Sequence, residues 1–502
     1  MERYIYSLIL LLSSGLLLFA NVKVIDTAGC NLAIVGETAQ NTYSLESISR
    51  VHNWWSGVFN GLDTKNPTTF ILDMTNTGTR VSPGDVSNWD GLYPFYSYGR
   101  YWDYNNFIYY IKNDDGYWVS SDVFAKNRLA GNGKTPIQNV IPAALADEFL
   151  SENENYWSSW QEIKDTKINV GSNTFTMTKQ FNSQNAAISF RVPYTYDYQF
   201  QYMRKLTVAN IPGVTVYDIG NSSSTTNKQR LYVVEISDQN AAETELKDRP
   251  VVLMYANEDG NEPDSCWVIN GAMNYLIQGI QNNDIEVKKI LSEVTFLFVP
   301  MLDPMGWRDS SYGEMAYSFY VSDYRSYWRI REEAVSYATF INDWCGDKGR
   351  RLDIVTSLHN IECAEGPNVM FPIVDTWYDG DYVEQLREML LGGFGEYKTS
   401  KTVWMYGLMF RRFNGWCMDK WGSIPLLSEV NSRYPVNRLN MLDMDKLGEM
   451  YVKGYYNYLL SDDYDKAMVY ITRKYSLQTE RRNQFLESDP DRTIEDVLNK
   501  GF

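Results

Sequence analysis

Residues 249–263 read RPVVLMYANEDGNEP, and this stretch decides the fold. The apolar run at 251–256 is followed by three acids, Glu258, Asp259 and Glu262, around a glycine. After Pro263, apolar residues recur at helical spacing, which predicts a buried strand, a turn and a helix with proline in its first turn. Open α/β sheets bind ligands at the carboxyl ends of their strands. The three acids are therefore predicted to lie at a functional edge.

The rest of the chain divides at about residue 200. Beyond it, the apolar runs VTFLFVPML, LDIVTSL and IPLLSEV alternate with helix-length segments. They predict an α/β domain over 205–460, with a central mixed sheet flanked by helices. Residues 40–200 contain short runs rich in aromatic and β-branched residues, such as TTFILDM and NTFTMTKQF, which predict an antiparallel β-sandwich with one helical insert near 142–163. The charged segment 461–502 predicts a helical tail.

The amino-terminal residues predict export. An apolar stretch over residues 4–20 follows Arg3, as in a secretory signal peptide occupying residues 1–20. An uncleaved signal anchor is the alternative, so the predicted location is secreted or otherwise extracytoplasmic, with membrane attachment only through this segment. Five cysteines without a CxxC pair predict one or two disulfides among the last four after export.

Composition narrows the classes of function. The formal net charge of −17 argues against nucleic acid, because phosphates require a basic face. The 38 tyrosines and 15 tryptophans are compatible with a sugar-binding protein or glycosidase, but glycosidase chemistry needs two carboxylates across a cleft, and no spacing here demands that.

Polar residues follow each of the four apolar runs of the α/β region. Asp259 and Glu262 follow the first run, Arg308 the second, His359 the third and Glu429 the last. Two carboxylates three residues apart, one distant imidazole and a further carboxylate as base are the components of a metal-dependent hydrolase site.

In order and spacing, these motifs resemble the zinc carboxypeptidases, in the cytosolic-carboxypeptidase-like branch that carries a β-sandwich before the catalytic domain. DGNEP (259–263) is similar to the family's HGNEP, DPMG (303–306) to NPDG, and DYRSYW (323–328) to DLNRNW. Upstream, VPYTYDYQFQYMRKL resembles the PYTY signature at the domain junction, and the stretch beginning YDIGNSSS resembles the lead-in to the first catalytic strand. The resemblance spans roughly residues 45–460.

The resemblance implies roles for the residues of the metal site. Glu262 and His359 match zinc ligands, and Glu429 matches the general base that takes a proton from the metal-bound water. Asp259 occupies the position of the family's first histidine ligand. An aspartate can also bind zinc, but two carboxylates and one histidine lower the net charge of the zinc site from +1 to zero.

The resemblance also implies the substrate-binding residues and the substrate, the C-terminus of a peptide or protein. Arg325 matches the arginine that pairs with the terminal carboxylate, for which a guanidinium fork is suited. Tyr324 replaces the asparagine that normally precedes it. Arg308 is the candidate for polarising the scissile carbonyl, and Tyr406 for the phenol that closes over the substrate.

The change at Asp259 leaves two main hypotheses. In the first, the protein is a working carboxypeptidase with an altered site, which holds zinc or a harder ion such as manganese, because oxygen ligands favour harder cations. In the second, the fold persists as an inactive binding or scaffold protein whose metal site stays empty. The sugar-binding protein is the third and weaker alternative.

Overall fold

The computed structural model describes about half of the chain. The described residues are 22–25, 32–47, 56–73, 108–112, 160–169, 172, 174–189, 192–222, 229–238, 240–258, 260, 262–304, 332–361, 368–371, 413–431, 441–462, 464–465, 468, 484 and 487–488. No helix within these ranges is long and apolar enough to cross a membrane. The predicted signal segment, residues 1–20, lies outside them, as does nearly all of the predicted tail.

Within the described residues of the first part of the chain, ten strands form two five-stranded sheets. They are β1 (Lys23–Ile25), β2 (Leu32–Ala39), β3 (Thr42–Ser47), β4 (Ser56–Asn60), β5 (Thr68–Asp73), β6 (Ile108–Lys112), β7 (Gln161–Ile163), β8 (Asp165–Asn169), β9 (Thr174–Lys179) and β10 (Asn185–Ser189). One sheet has the order β1-β4-β10-β6-β7 and the other β2-β3-β5-β9-β8. Strands β1 and β2 precede residue 40, where the sandwich was expected to begin.

Pairing in these sheets is antiparallel except between β3 and β5, which run parallel. The reason is topological: β4, which separates them in sequence, belongs to the other sheet, so the chain returns in its original direction. The end of the predicted helical insert, Gln161–Ile163, is a strand, and the rest of that segment lies outside the described residues.

Alternating side chains form the sandwich core. In β5, Phe70 and Leu72 are buried while their neighbours are partly exposed, and in β9 Phe175 and Met177 alternate in the same way. The ring of Phe70 lies 4.7 Å from that of Phe59, on a strand of the opposite sheet. A strand with one wet face, predicted from the alternation in TFTMTKQF, is therefore confirmed.

The part of the second half that the structure describes forms a seven-stranded mixed sheet with helices. Its strands are β11 (Val214–Asn221), β12 (Arg230–Ile236), β13 (Val251–Ala256), β14 (Thr295–Val299), β15 (Ile354–Ile361), β16 (Asn368–Phe371) and β17 (Ile424–Asn431). The helices are α1 (Tyr196–Ala209), α2 (Glu243–Asp248), α3 (Pro263–Gln281), α4 (Ile285–Glu293), α5 (Glu332–Lys348), α6 (Phe413–Trp421) and α7 (Met441–Leu459). The strand order is β11-β12-β14-β13-β15-β17-β16.

The four central strands, β14, β13, β15 and β17, are parallel to one another and are the four apolar runs recognised in the sequence. Every residue of β13 is buried, because helices cover both faces of the sheet. Val252, Met254 and Ala256 share a core with α3 and α7. Val251, Leu253 and Tyr255 share a core with α5 and α6 on the other face. The predicted α/β fold class is confirmed by this arrangement.

The three described cysteines lie in these cores. Cys266, Cys345 and Cys417 are buried free thiols, so no disulfide links any two of them in the described structure. Cys30 and Cys363 lie outside the described residues.

Candidate metal centre

A sharp turn follows the central strand β13. Asn257 has a backbone φ of 61°. This value lies in the left-handed region, which asparagine tolerates better than most residues. The segment after β14 holds this turn, since Leu302 N donates to Ala256 O at 2.9 Å and Asp303 N donates to Asn257 O at 3.0 Å. The turn is followed by Glu258, which is fully buried.

Glu262 lies at the start of helix α3. It is the N-cap residue, and Pro263 occupies the first turn as predicted. Ser265 Oγ donates to the Glu262 carbonyl at 2.7 Å. The positive end of a helix dipole favours nearby carboxylates. The 19-residue helix therefore stabilises the negative charge of Glu262, whose side chain is 6% exposed.

His359, near the end of β15, faces both of these glutamates. Its Nδ1 lies 2.8 Å from Glu262 Oε2, and its Nε2 lies 3.1 Å from Glu258 Oε2. The imidazole is almost completely buried. Two residues that are far apart in sequence, Glu262 and His359, are thus in direct contact at the carboxyl edge of the parallel strands, where the sequence predicted a ligand site.

Further groups converge on Glu258. Ser357 Oγ, two residues before His359 on the same strand, donates to Glu258 Oε2 at 2.9 Å. Tyr255 Oη makes a longer contact of 3.5 Å with the same oxygen and itself accepts a hydrogen bond from Asn414 N at 3.3 Å. The sequence places Glu258 at this edge with the other two acids but assigns it no role in the site. The available signal was its place among the three acids after β13, and a serine two residues before His359, which falls on the same face of a strand.

The described structure contains the backbone of Glu429 and the side chains of two other predicted site residues. In the parallel pair of β15 and β17, His359 and Glu429 are register partners, so the predicted base occupies the position beside His359. Asp259 lies outside the described residues, as do four residues predicted to act on the substrate: Arg308, Tyr324, Arg325 and Tyr406.

The contact between Glu262 and His359 is compatible with a shared metal ion. Tetrahedral zinc, with ligand distances of about 2.0–2.1 Å, holds two ligand atoms about 3.3 Å apart. The observed separation is 2.8 Å. It would need to widen by only about 0.5 Å to admit the ion. Among the described residues, no group of three His, Cys, Asp or Glu side chains is arranged to hold a metal ion, and the predicted third ligand, Asp259, is not among them.

The surroundings of the centre are buried and acidic. Asp264 and Asp303 are both buried beside the turn and the start of α3. Burial raises the pKa of the Cys266 thiol, and the charges of Asp264 and Glu262 raise it further, so this thiol stays neutral and is a poor metal ligand. Burial, together with the charges of Glu333 and Asp303, likewise raises the pKa of Tyr337.

Comparisons with known proteins agree with this architecture. Residues 200–331 match the zinc carboxypeptidase family (Peptidase_M14), a segment that includes Glu262 and ends before His359. Over 137 residues, 26% of this chain, the sequence is 23% identical to cytosolic carboxypeptidase 1 of Danio rerio, and the match covers 12% of that protein's length. The resemblance to zinc carboxypeptidases seen in the sequence is confirmed.

Solved structures share the fold over most of the chain. A metallo-carboxypeptidase from Burkholderia cenocepacia matches with a TM-score of 0.58 and 11% identity, covering 86% of this chain and 97% of that one. A metallo-carboxypeptidase from Pseudomonas aeruginosa, in complex with (2-guanidinoethylmercapto)succinic acid, matches with a TM-score of 0.56 and 10% identity, covering 88% and 100% of the two chains. These likenesses show a carboxypeptidase fold.

Proposed function

We propose that this chain, which carries a zinc carboxypeptidase-type domain, is a metal-dependent hydrolase that removes residues from the C-termini of peptides or proteins. The observation that carries the proposal is the 2.8 Å contact between Glu262 Oε2 and His359 Nδ1 at the carboxyl edge of the parallel strands. Both residues were proposed as metal ligands from the sequence, and a strand and a helix from distant parts of the chain bring them together. The register of Glu429 beside His359 supports its role as base.

Each residue has a distinct task in this proposal. Glu262 and His359 would hold the ion, with Asp259 as the third ligand. When bound, the metal supplies a Lewis acid for the scissile carbonyl and lowers the pKa of its water. Glu429 takes a proton from the attacking water and passes it to the leaving amine. The resemblance assigns Arg325 to the terminal carboxylate, Arg308 to polarising the scissile carbonyl, and Tyr324 and Tyr406 to substrate binding.

The proposed ligand set bears on the choice of metal. Asp259 in place of a neutral histidine adds a negative charge to a centre where Glu258 and Glu262 are already buried. Oxygen ligands favour harder cations, so manganese is expected to compete with zinc better here than in a site with two histidines.

A peptidase assay with paired variants tests the proposal. The purified full-length chain is incubated with a panel of peptides that differ in their last residue, with added zinc, manganese or cobalt. Glu262→Gln and His359→Ala are expected to lower metal binding and activity by about 100-fold or more, because each removes a ligand. Glu332→Gln, an exposed change on α5, is the control and should leave both unchanged. Failure to release any residue with any metal would refute the catalytic proposal.

One observation favours the inactive scaffold as a second candidate. Both ring nitrogens of His359 contact a carboxylate, which makes Glu258, His359 and Glu262 a compact polar cluster even without a metal. Metal analysis of the dialysed protein separates the two candidates, because the scaffold should contain no stoichiometric divalent ion. The sugar-binding alternative gains no such support: the described sandwich aromatics Phe59, Phe70 and Phe175 are buried in the core.

We also propose that the protein is exported, on the basis of residues 1–20 alone. Amino-terminal sequencing of the mature protein tests this, since cleavage after Ala20 indicates a signal peptide and an intact start indicates an anchor.

A further inference from the structure

We infer that Glu258 is a positioning residue for the metal centre: its carboxylate accepts the Nε2–H of His359 and thereby presents Nδ1 to the ion shared with Glu262. This inference rests on the proposed function. Its basis is that the imidazole lies between two buried carboxylates, with Nε2 at 3.1 Å from Glu258 and Nδ1 at 2.8 Å from Glu262.

Glu258 acts from outside the ligand set. The two nitrogens of an imidazole point to opposite sides of the ring, so an ion bound in line with Nδ1 is remote from an oxygen in contact with Nε2. Consistent with this, Glu258, Glu262 and His359 do not form a three-ligand group among the described residues. A carboxylate behind a ligating histidine fixes the tautomer and the ring orientation and makes the metal-binding nitrogen a better donor.

The carboxylate of Glu258 is itself held in place. Ser357 Oγ donates to Oε2 at 2.9 Å, and the same oxygen is the one that contacts His359. Ser357 and His359 are two positions apart on β15 and therefore share a face of the strand. Residues on this strand thus position both the imidazole and the carboxylate that orients it.

The chain contains only two histidines, which makes the inference directly measurable. In a His52→Gln background, purified without a polyhistidine tag, His359 gives the only imidazole signals in an ¹⁵N-labelled protein. With one equivalent of zinc, we expect the proton on Nε2 and the metal on Nδ1. If zinc binds through Nε2 while Glu258 is unchanged, the inference is wrong, regardless of the results for the Glu258 variants.

Variants of Glu258 and Ser357 then measure how much the orientation of the His359 ring contributes to zinc affinity. Glu258→Ala should weaken zinc binding by about 10–100-fold, measured by competition with a chromophoric chelator, and should allow both tautomers of His359. Glu258→Gln keeps an acceptor for the Nε2–H and should cost less than Glu258→Ala. Ser357→Ala leaves Glu258 in place without its hydroxyl partner and should also cost less. If Glu258→Ala fails to fold, the Gln and Ser357 variants and the tautomer measurement still decide the question.

A buried carboxylate elsewhere in the fold provides the matched control. Asp353 precedes β15 at the opposite end of the parallel strands and accepts a hydrogen bond from Val251 N at 2.8 Å. Asp353→Asn should lower stability without changing zinc affinity. If both Glu258 variants keep the zinc affinity and the His359 tautomer of the wild type, this inference is wrong, and the proposed function is unaffected. A wild-type protein that binds no zinc or manganese would overturn both.

Discussion

Helices α3 and α7 cross at two glycines, and a single methyl group there should separate them. A Cβ on Gly448 would lie 2.2 Å from the backbone nitrogen of Ala272 and 2.4 Å from the carbonyl oxygen of Val268. A Cβ on Gly271 would lie 2.5 Å from the Cα of Asp445. Ordinary contact begins at 3.4 Å, and the atoms in the way are backbone. No side-chain rotation relieves the clash of Gly448→Ala, and one helix must move.

Two opposing effects determine how much Gly448→Ala changes the free energy of unfolding. Alanine in a helix interior is favoured over glycine by about 1 kcal/mol, whereas overpacking costs about 1–3 kcal/mol or more when backbone must shift. Because the obstacle is the backbone of the facing helix, we expect the upper part of that range to apply and Gly448→Ala to lower the free energy of unfolding by about 1–2 kcal/mol net. Glu262 occupies the N-cap position of α3, so a displaced α3 should also weaken metal binding.

Gly346→Ala is the matched control, because it also replaces a helical glycine and a Cβ there meets nothing within 4 Å. It should stabilise the protein by about 0.5–1 kcal/mol. Urea unfolding followed by tryptophan fluorescence compares the midpoints of the two variants with that of the wild type. Equal midpoints for Gly448→Ala and Gly346→Ala would show that the helices do not cross as closely as described.

Three further changes test other parts of the structure. Asp353→Asn removes a buried carboxylate that accepts from Val251 N and contacts Tyr464. It should lower the free energy of unfolding by about 2–4 kcal/mol, seen as a lower melting temperature. Burial raises the pKa of Asp445 from 3.8 to about 6, so ionising this carboxyl lowers the stability of the folded protein, beginning above pH 3.8 and fully above about pH 6. Asp445→Asn should therefore stabilise by about 1–2 kcal/mol at pH 8, allowing for its partial exposure, and by a few tenths at pH 4, measured by urea titration at both values. Asp259→His should raise zinc affinity and any peptidase activity, because it restores a neutral ligand and the +1 charge of the zinc site; unchanged values for both would argue against Asp259 as a ligand.

The sequence predicted the elements whose signals are local. Four apolar runs became the four parallel strands, because a strand covered on both faces must be apolar throughout. Pro263 marked the start of α3, because proline at that position loses no helical hydrogen bond. The contact between Glu262 and His359 was expected because the carboxyl ends of parallel strands meet at one edge. In each case a short run of adjacent residues is enough to indicate the structure that forms.

Other features depend on neighbours that are distant in sequence. The left-handed turn at Asn257 is held by hydrogen bonds from the segment after β14, and only this turn explains why Glu258 is buried rather than on the surface. The parallel pairing of β3 and β5 depends on β4 joining the other sheet. The glycines of α3 and α7 have no distinctive local pattern, because their role is set by the facing helix. These features require the tertiary structure.

The distance between Glu262 Oε2 and His359 Nδ1 distinguishes a metal-binding enzyme from an inactive scaffold protein. Without an ion, Glu262 Oε2 and His359 Nδ1 lie in close contact at the observed 2.8 Å. A tetrahedral ion bound to both residues requires about 3.3 Å between the same two atoms. An imidazole that donates from both nitrogens has no lone pair to offer a metal, whereas one that donates only from Nε2 has its Nδ1 lone pair available. The hydrogen bond from Nε2 to Glu258 can form in both protonation states of the ring. Whether His359 can bind a metal therefore depends on whether Nδ1, on the Glu262 side, carries a proton.

A crystal structure of zinc-soaked protein should therefore show the Oε2–Nδ1 distance widened to about 3.3 Å, with density between the two atoms. A distance that stays at the unwidened 2.8 Å in saturating zinc would identify the site as a polar cluster that holds no metal ion between these two residues.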